Sequence, residues 1–279
     1  MKEIRFLNKI LIILLSIIFI LSPYAASLRS YAIMLPYSYL HHRNSVLSKN
    51  NIKFTILGGA YTSKKDWYPF VITFNDDEGL SNYLGEEVEF TVLYNFGHFP
   101  LRQGTSSYYN PESPYYSSFY GGYIVKPSTK DRKFGFLDDE KIYAEELSLV
   151  PQFDQVHLVL SSLGCPYEQR FFNDNAVSIE YNVDYAGYQD WVRIDSEIET
   201  NSPVHQYQGY QQGYLQYGRP LGIFHYEKDF PVITLKGRAY ARYFKEYQAT
   251  FVLYIMAPTW DTVDECDQDI LSKAVISNR

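Results

Sequence analysis

Residues 232–256 read VITLKGRAYARYFKEYQATFVLYIM. From Ile233 to Tyr243 the odd positions are Ile233, Leu235, Gly237, Ala239, Ala241 and Tyr243, and the even positions are Thr234, Lys236, Arg238, Tyr240 and Arg242. Side chains of a strand alternate between its two sides, so one face is small and apolar and the other cationic and aromatic. After the polar step Lys245-Glu246, Tyr247, Ala249, Phe251, Leu253 and Ile255 alternate with Gln248, Thr250, Val252 and Tyr254. The pattern predicts two long strands, antiparallel neighbours, central in a sheet. A helix through Ala239–Ala249 is the competing assignment. Gly237 and the β-branched and aromatic run Thr250–Tyr254 argue against it.

Working outward, the same alternation recurs at 52–57, 70–75, 88–96, 119–125, 177–185 and 192–199. Asp76-Asp77-Glu78-Gly79 reads as a turn, and Ala186–Asp190 as the loop of a hairpin. The period changes at Phe153, Val156, Leu160 and Leu163, whose spacing is helical. Pro151 suits a first helical turn, Gly164 a C-terminal cap, and Pro166 forbids continuation, so a helix is expected over about Gln152–Leu163. Asp138–Leu149 is a weaker helical segment. Thr262–Ile276 repeats the helical pattern with Val263, Cys266, Ile270 and Ala274, and acidic residues crowd its first turn, where the helix dipole favours them.

The fold expected is α+β and mostly antiparallel β. About nine strands form a sandwich or curved sheet, with two or three short helices packed on it. One β-rich domain spans 52–279, and 28–51 is a connector.

The first 27 residues carry an address. Lys2, Arg5 and Lys9 precede the apolar run Ile10–Leu21, and small residues follow at Ala25, Ala26 and Ser27. This is the order of a secretory signal. The apolar run is short for a span, which needs about 20 residues. Yet no charge falls between Lys9 and Arg29, so an uncleaved membrane anchor is the alternative. Both place the remainder outside the cytoplasm, secreted or held at the cell envelope.

The formal net charge is −7. An acidic chain is a poor partner for nucleic acid through its bulk field, and membrane contact is expected only through the N-terminal segment. The one basic cluster, from Lys126 to Lys133, lies among breakers and reads as a solvated loop. The 28 Tyr are the compositional anomaly. Tyrosine favours strands, and it also favours half-wet recognition surfaces.

Three groups of side chains are candidates for function. The polar side of the hairpin carries Glu180, Asp184, Asp195, Glu197 and Glu199; two carboxylates in unlike surroundings would serve a glycan hydrolase, whereas a regular row is what a solvent face also produces. Cys165 and Cys266 are candidates for a disulfide, with two separate buried thiols as the alternative. Two breaker-rich segments carry the rings Tyr115, Tyr116 and Tyr120, and Tyr207, Tyr210, Tyr214 and Tyr217. Rigid rings among Ser, Gly, Asn and Gln resemble the composition of binding loops, and rings that seal the core are the alternative. No cofactor or metal signature is present: the six His lack ligand spacing, and nucleophile-elbow, zincin, P-loop and dinucleotide motifs are absent from the sequence.

The functional expectation is an exported, envelope-associated, non-enzymatic module. It binds a polymer, for example a glycan, or a protein partner through its Tyr-rich loops. The alternatives are a glycan hydrolase using the hairpin carboxylates and a structural coat or envelope component.

Overall fold

A computed structural model describes residues 2–20, 23–59, 67–96, 107–137, 141–162, 165–202 and 230–278. It contains nine strands: β1 Ile52–Thr55, β2 Ile72–Phe74, β3 Val88–Phe96, β4 Phe119–Pro127, β5 Phe172–Tyr185, β6 Tyr188–Asn201, β7 Val232–Phe244, β8 Ala249–Ala257 and β9 Val275–Asn278. Seven make one sheet in the order β2-β3-β4-β8-β7-β6-β5, and β1 pairs with β9 apart from it. Every ladder is antiparallel. The fold is α+β, and the 232–256 stretch forms β7 and the middle strand β8, as its alternation requires.

Cross-strand partners share a face, so the register sorts the sheet into two sides. One side holds Trp191, Tyr240, Phe244, Phe251, Leu253, Ile255, Tyr120 and Ile124, under β1, β9 and the C-terminal helix. The other holds Val192, Ile194, Ala241, Val252, Tyr123, Phe90 and Val92, together with Leu147, Val150 and Phe153 of a covering helix. Gly122 admits the first layer: a Cβ there would come within 2.6 Å of the Phe54 ring of β1.

The helices are α1 Lys2–Ile20, α2 Pro23–Asn44, α3 Val46–Lys49, α4 Asp77–Leu84, α5 Ala144–Phe153, α6 Leu160–Ser162 and α7 Trp260–Asp269, with a π-helical turn, Asp154–Val159, between α5 and α6. Four of these differ from expectation. The 28–51 stretch is helical rather than a connector, and α2 docks on the sheet edge: Ser38 Oγ accepts the Thr73 amide at 2.9 Å, and the Tyr68 hydroxyl reaches Met34 Sδ at 3.4 Å. Asp76 caps a helix instead of making a turn, accepting the Gly79 amide at 3.0 Å.

The covering helix begins at Ala144, so Pro151 sits inside it and not in its first turn. Proline lacks the N–H that Leu147 O would accept four residues earlier. The Tyr123 hydroxyl from β4 donates to that carbonyl at 2.9 Å, which makes the interior proline tolerable and pins the helix to the sheet. The π turn follows. Phe153 and Leu160 are buried and Val156 packs beside them, as the spacing predicts, while Leu163 lies outside the described residues.

The chain after α7 does not stay helical. Val275–Asn278 pairs with β1, whose backbone groups would otherwise lack partners.

Among the described residues no helix is long and apolar enough to cross a membrane, and this includes α1. The large apolar side chains of α1, from Leu7 through Ile10–Leu15 to Ile17–Phe19, stand exposed.

Candidate functional site

The hairpin carboxylates lie on the α7 side of the sheet, and most are paired with cations or an amide. Arg238 donates Nε to Asp195 Oδ1 at 2.7 Å and Nη1 to Asp264 and Asp267 at 2.6 and 3.0 Å. Arg193 Nη2 adds a bond to Asp195 Oδ2 at 2.6 Å. Burial alone would raise the Asp195 pKa, but the hydrogen bonds from Arg238 and Arg193 prevail and hold it below the usual carboxylate range. Tyr240 and Tyr185, stacked with centroids 3.6 Å apart, both donate to Asp267.

Glu197 pairs with Lys236, Glu199 accepts from Asn173 Nδ2 at 3.3 Å, Glu180 lies 3.7 Å from Arg193, and Asp184 is exposed. This ionic network fastens α7 to β6 and β7. Strand alternation sets the row against cationic partners, Arg193 on β6 and Lys236 and Arg238 on β7.

The described Tyr-rich segment, around β4, turns its rings inward. Tyr115, Tyr116 and Tyr120 are buried, the last with no measurable exposure. Tyr120 donates to Leu57 O at 2.8 Å and Tyr115 to Glu265 Oε1 at 3.2 Å. Trp67 packs edge-on against both rings. These rings close the core. Tyr207, Tyr210, Tyr214 and Tyr217 lie outside the described residues.

No disulfide joins Cys165 and Cys266; both thiols are reduced and buried. They belong to clusters on opposite sides of the sheet, and a bridge needs Cβ atoms about 3.8 Å apart. Burial raises the Cys266 thiol pKa well above normal, and Asp267, Glu265 and Asp269 raise it further.

A different residue set lines a concave site. Between α5 and the sheet lies a cavity of about 420 Å³, bounded by Ala144, Glu145, Leu147 and Ser148 of α5, by Asp174 and Ala176 of β5, by Ile194 and Ser196 of β6, and by Tyr123, Ala239, Val252 and Tyr254. Asp174 pairs with Ile198 across the ladder and Ala176 with Ser196, so both stand on the helix-covered side. Asp174 Oδ1 is sealed from bulk solvent and has no hydrogen-bond partner among the described residues. Burial raises the Asp174 pKa, and a hydrogen bond from the Ser196 hydroxyl to the carboxylate partly offsets this.

A carboxyl oxygen held dry without a donor costs stability, and such groups concentrate where a ligand supplies the missing partner. The sequence hides it: Asn173-Asp174-Asn175 reads as polar lead-in to a strand that begins, in fact, at Phe172.

Deeper under the helix, Asp154 in the π turn is buried, and burial pushes its carboxyl up to about 7. Among the described residues no group of three His, Cys, Asp or Glu side chains is placed to hold a metal ion. No family model matches the chain, and no curated protein or solved structure is significantly similar to it.

Proposed function

We propose that this chain is an exported β-rich module that binds a hydroxyl-rich polymer, a glycan strand, in the cavity between α5 and the sheet. The observation that carries the reading is the unpartnered, buried Asp174 Oδ1 on the wall of that cavity. A sugar hydroxyl supplies the missing donor. Tyr254 and the small wall residues Ala176 and Ala239 supply the apolar and aromatic surface that sugar rings pack on. The export address rests on the basic start Lys2, Arg5 and Lys9, and on the exposed apolar side chains of α1, which leave the helix available to the secretion machinery.

The test pairs a glycan panel with two variants. Asp174→Ala removes the acceptor, and a hydrogen bond to a charged or partly charged group is worth about 1.5–3 kcal/mol, so affinity should fall about 10- to 100-fold. Asp174→Asn keeps an acceptor and should retain more binding. The alanine variant should unfold at nearly the same temperature as the parent, because the loss of the Ser196 hydrogen bond is offset by discarding the unpartnered Oδ1. Loss of stability without loss of binding would show that Asp174 serves the fold.

A second reading is a glycan hydrolase. The carboxyls that share one cavity in unlike surroundings are Asp174, half-buried and raised, and Glu145, exposed at the rim. That contrast is what an acid and its partner require. Release of reducing ends by the parent, abolished in Asp174→Asn while binding persists, would select this reading.

A further inference from the structure

Helix α2 is apolar on two sides. Its inner side docks on β2, an edge strand of the seven-stranded sheet, and on the residues before it. Tyr31 stacks on Tyr68 with centroids 5.8 Å apart, Tyr37 stacks on Phe74 at 6.4 Å, and His41 Nδ1 accepts the Asn75 amide at 3.2 Å. Its outer side carries Ala32, Leu35, Pro36, Tyr39 and Leu40, all exposed. Steps of three and one keep these five on a single stripe about two turns long. Leu35, Tyr39 and Leu40 are 49%, 67% and 56% exposed. No charged residue interrupts the stripe, and the exposed Arg43 follows it three residues on.

A surface helix in water keeps a polar side, and one that is apolar all round is buried in protein or lies in lipid. The outer stripe of α2 is covered by nothing in the chain. It continues an apolar surface already begun, because α1 ends at Ile20 and α2 begins at Pro23. From Ile10 to Ile20 helix α1 rises about 15 Å, half of a hydrocarbon core of about 30 Å. That is the depth of one leaflet, not of a bilayer.

Charge selects the occupant. The two helices hold Lys2, Arg5, Lys9, Arg29 and Arg43 against Glu3, a net of +4. With −7 overall, the rest of the chain carries −11. Such a molecule turns its N-terminal helices toward an anionic surface and its acidic domain away from it. A second copy of the chain would set cationic helix against cationic helix.

We propose that the outer stripe of α2, together with α1, docks this protein on an anionic lipid bilayer. Helix α1 enters the near leaflet, and Leu35 and Leu40 sink to the headgroup boundary. Tyr39 takes the half-wet level that suits a ring with a hydroxyl, and Arg43 meets lipid phosphate. A cut after Ser27 would remove α1 and leave the stripe on the domain. The opposite sheet edge, β5, is six strand spacings or about 29 Å away along the sheet. The cavity walled by Asp174 and Ala176 therefore lies at the far edge from the bilayer. Lipid docking does not depend on what fills that cavity.

The experiment places one environment-sensitive dye on the full chain, at Tyr39→Cys or, as a control on β5, at the exposed Ser178→Cys. The native thiols Cys165 and Cys266 are buried and do not compete for the label. Vesicles of phosphatidylcholine, alone or mixed with phosphatidylglycerol, are then added. The proposal expects blue-shifted emission at position 39 and not at 178, with tighter binding to the anionic vesicles. In Leu35→Glu/Leu40→Glu vesicle affinity should fall about tenfold or more, at an unchanged melting temperature. Absence of binding, or equal affinity for both kinds of vesicle, overturns the proposal. So does binding without a shift at 39, since α1 alone would then hold the chain, and so do equal shifts at 39 and 178. A dimer formed without vesicles and dissociated by the double variant would assign the stripe to a second copy and overturn the lipid assignment.

Discussion

Replacing Asp154 by Asn should make the stability of this protein far less sensitive to pH. Asp154 sits in the π turn, buried, with its carboxyl pushed up to about 7 by loss of solvent. The hydroxyls of Tyr94 and Tyr254, raised mainly by their own burial, are raised further by its charge, so the rings lie close to it. In the unfolded chain an aspartate titrates near its ordinary value, about 3.9. Between about pH 4 and pH 7 the native state therefore holds a proton that the unfolded state has lost. Stability conferred by the neutral form is complete below pH 4 and is lost as pH rises through 7.

The gap is about 3 pH units at about 1.4 kcal/mol each, so ionisation costs the native state about 4 kcal/mol at pH 8. Asparagine has the same shape and does not ionise. Urea unfolding of parent and variant at pH 4 and pH 8 measures the effect, because every other carboxylate titrates alike in both. The variant should gain several kcal/mol relative to the parent between the two pH values. A stability difference that does not change with pH would refute the assignment of Asp154 as a dry, isolated acid.

Three further outcomes follow from the packing. Leu160→Ala should cost about 2–5 kcal/mol in chemical denaturation, since Leu160, at the start of α6, is fully buried. Tyr123→Phe should cost about 1–3 kcal/mol, because the Leu147 carbonyl, already deprived of an amide by Pro151, then loses its remaining donor; a neutral effect would mean the helix relaxes to repair itself. Arg238→Ala should cost about 3 kcal/mol by removing the cation that Asp195 and Asp267 share, leaving Asp195 to Arg193 and Asp267 to its two tyrosines, and hydrogen exchange should show α7 loosening first.

The sheet was legible because alternation is local. Each strand from β3 to β8 announces its own faces, and the register then follows from burying Ile194, Leu253 and their neighbours. What was not legible depends on distant partners. Nothing near Pro151 reveals that a tyrosine on β4 will replace its missing bond. Nothing near Val275 reveals that β1, some 220 residues earlier in the chain, offers it an edge.

The site was hidden for a similar reason. Asp174 looks like an ordinary polar residue of a strand entry, and only the covering helix makes a wall of it. The Tyr-rich segment misled because ring abundance alone does not set direction: Tyr115 and Tyr120 turn inward once Trp67 and α7 provide partners for them.

On the proposed function, this protein meets its ligand in the cavity between α5 and β5–β6. Backbone amide NMR during titration with the tightest-binding oligosaccharide of the panel tests it directly. Saturable shifts should cluster on Asn173–Ala176, Ile194–Ser196 and Glu145–Ser148, and should vanish in Asp174→Ala. Shifts confined to the other side of the sheet, around Arg238 and Asp264, or no saturable shift with any glycan, would contradict it.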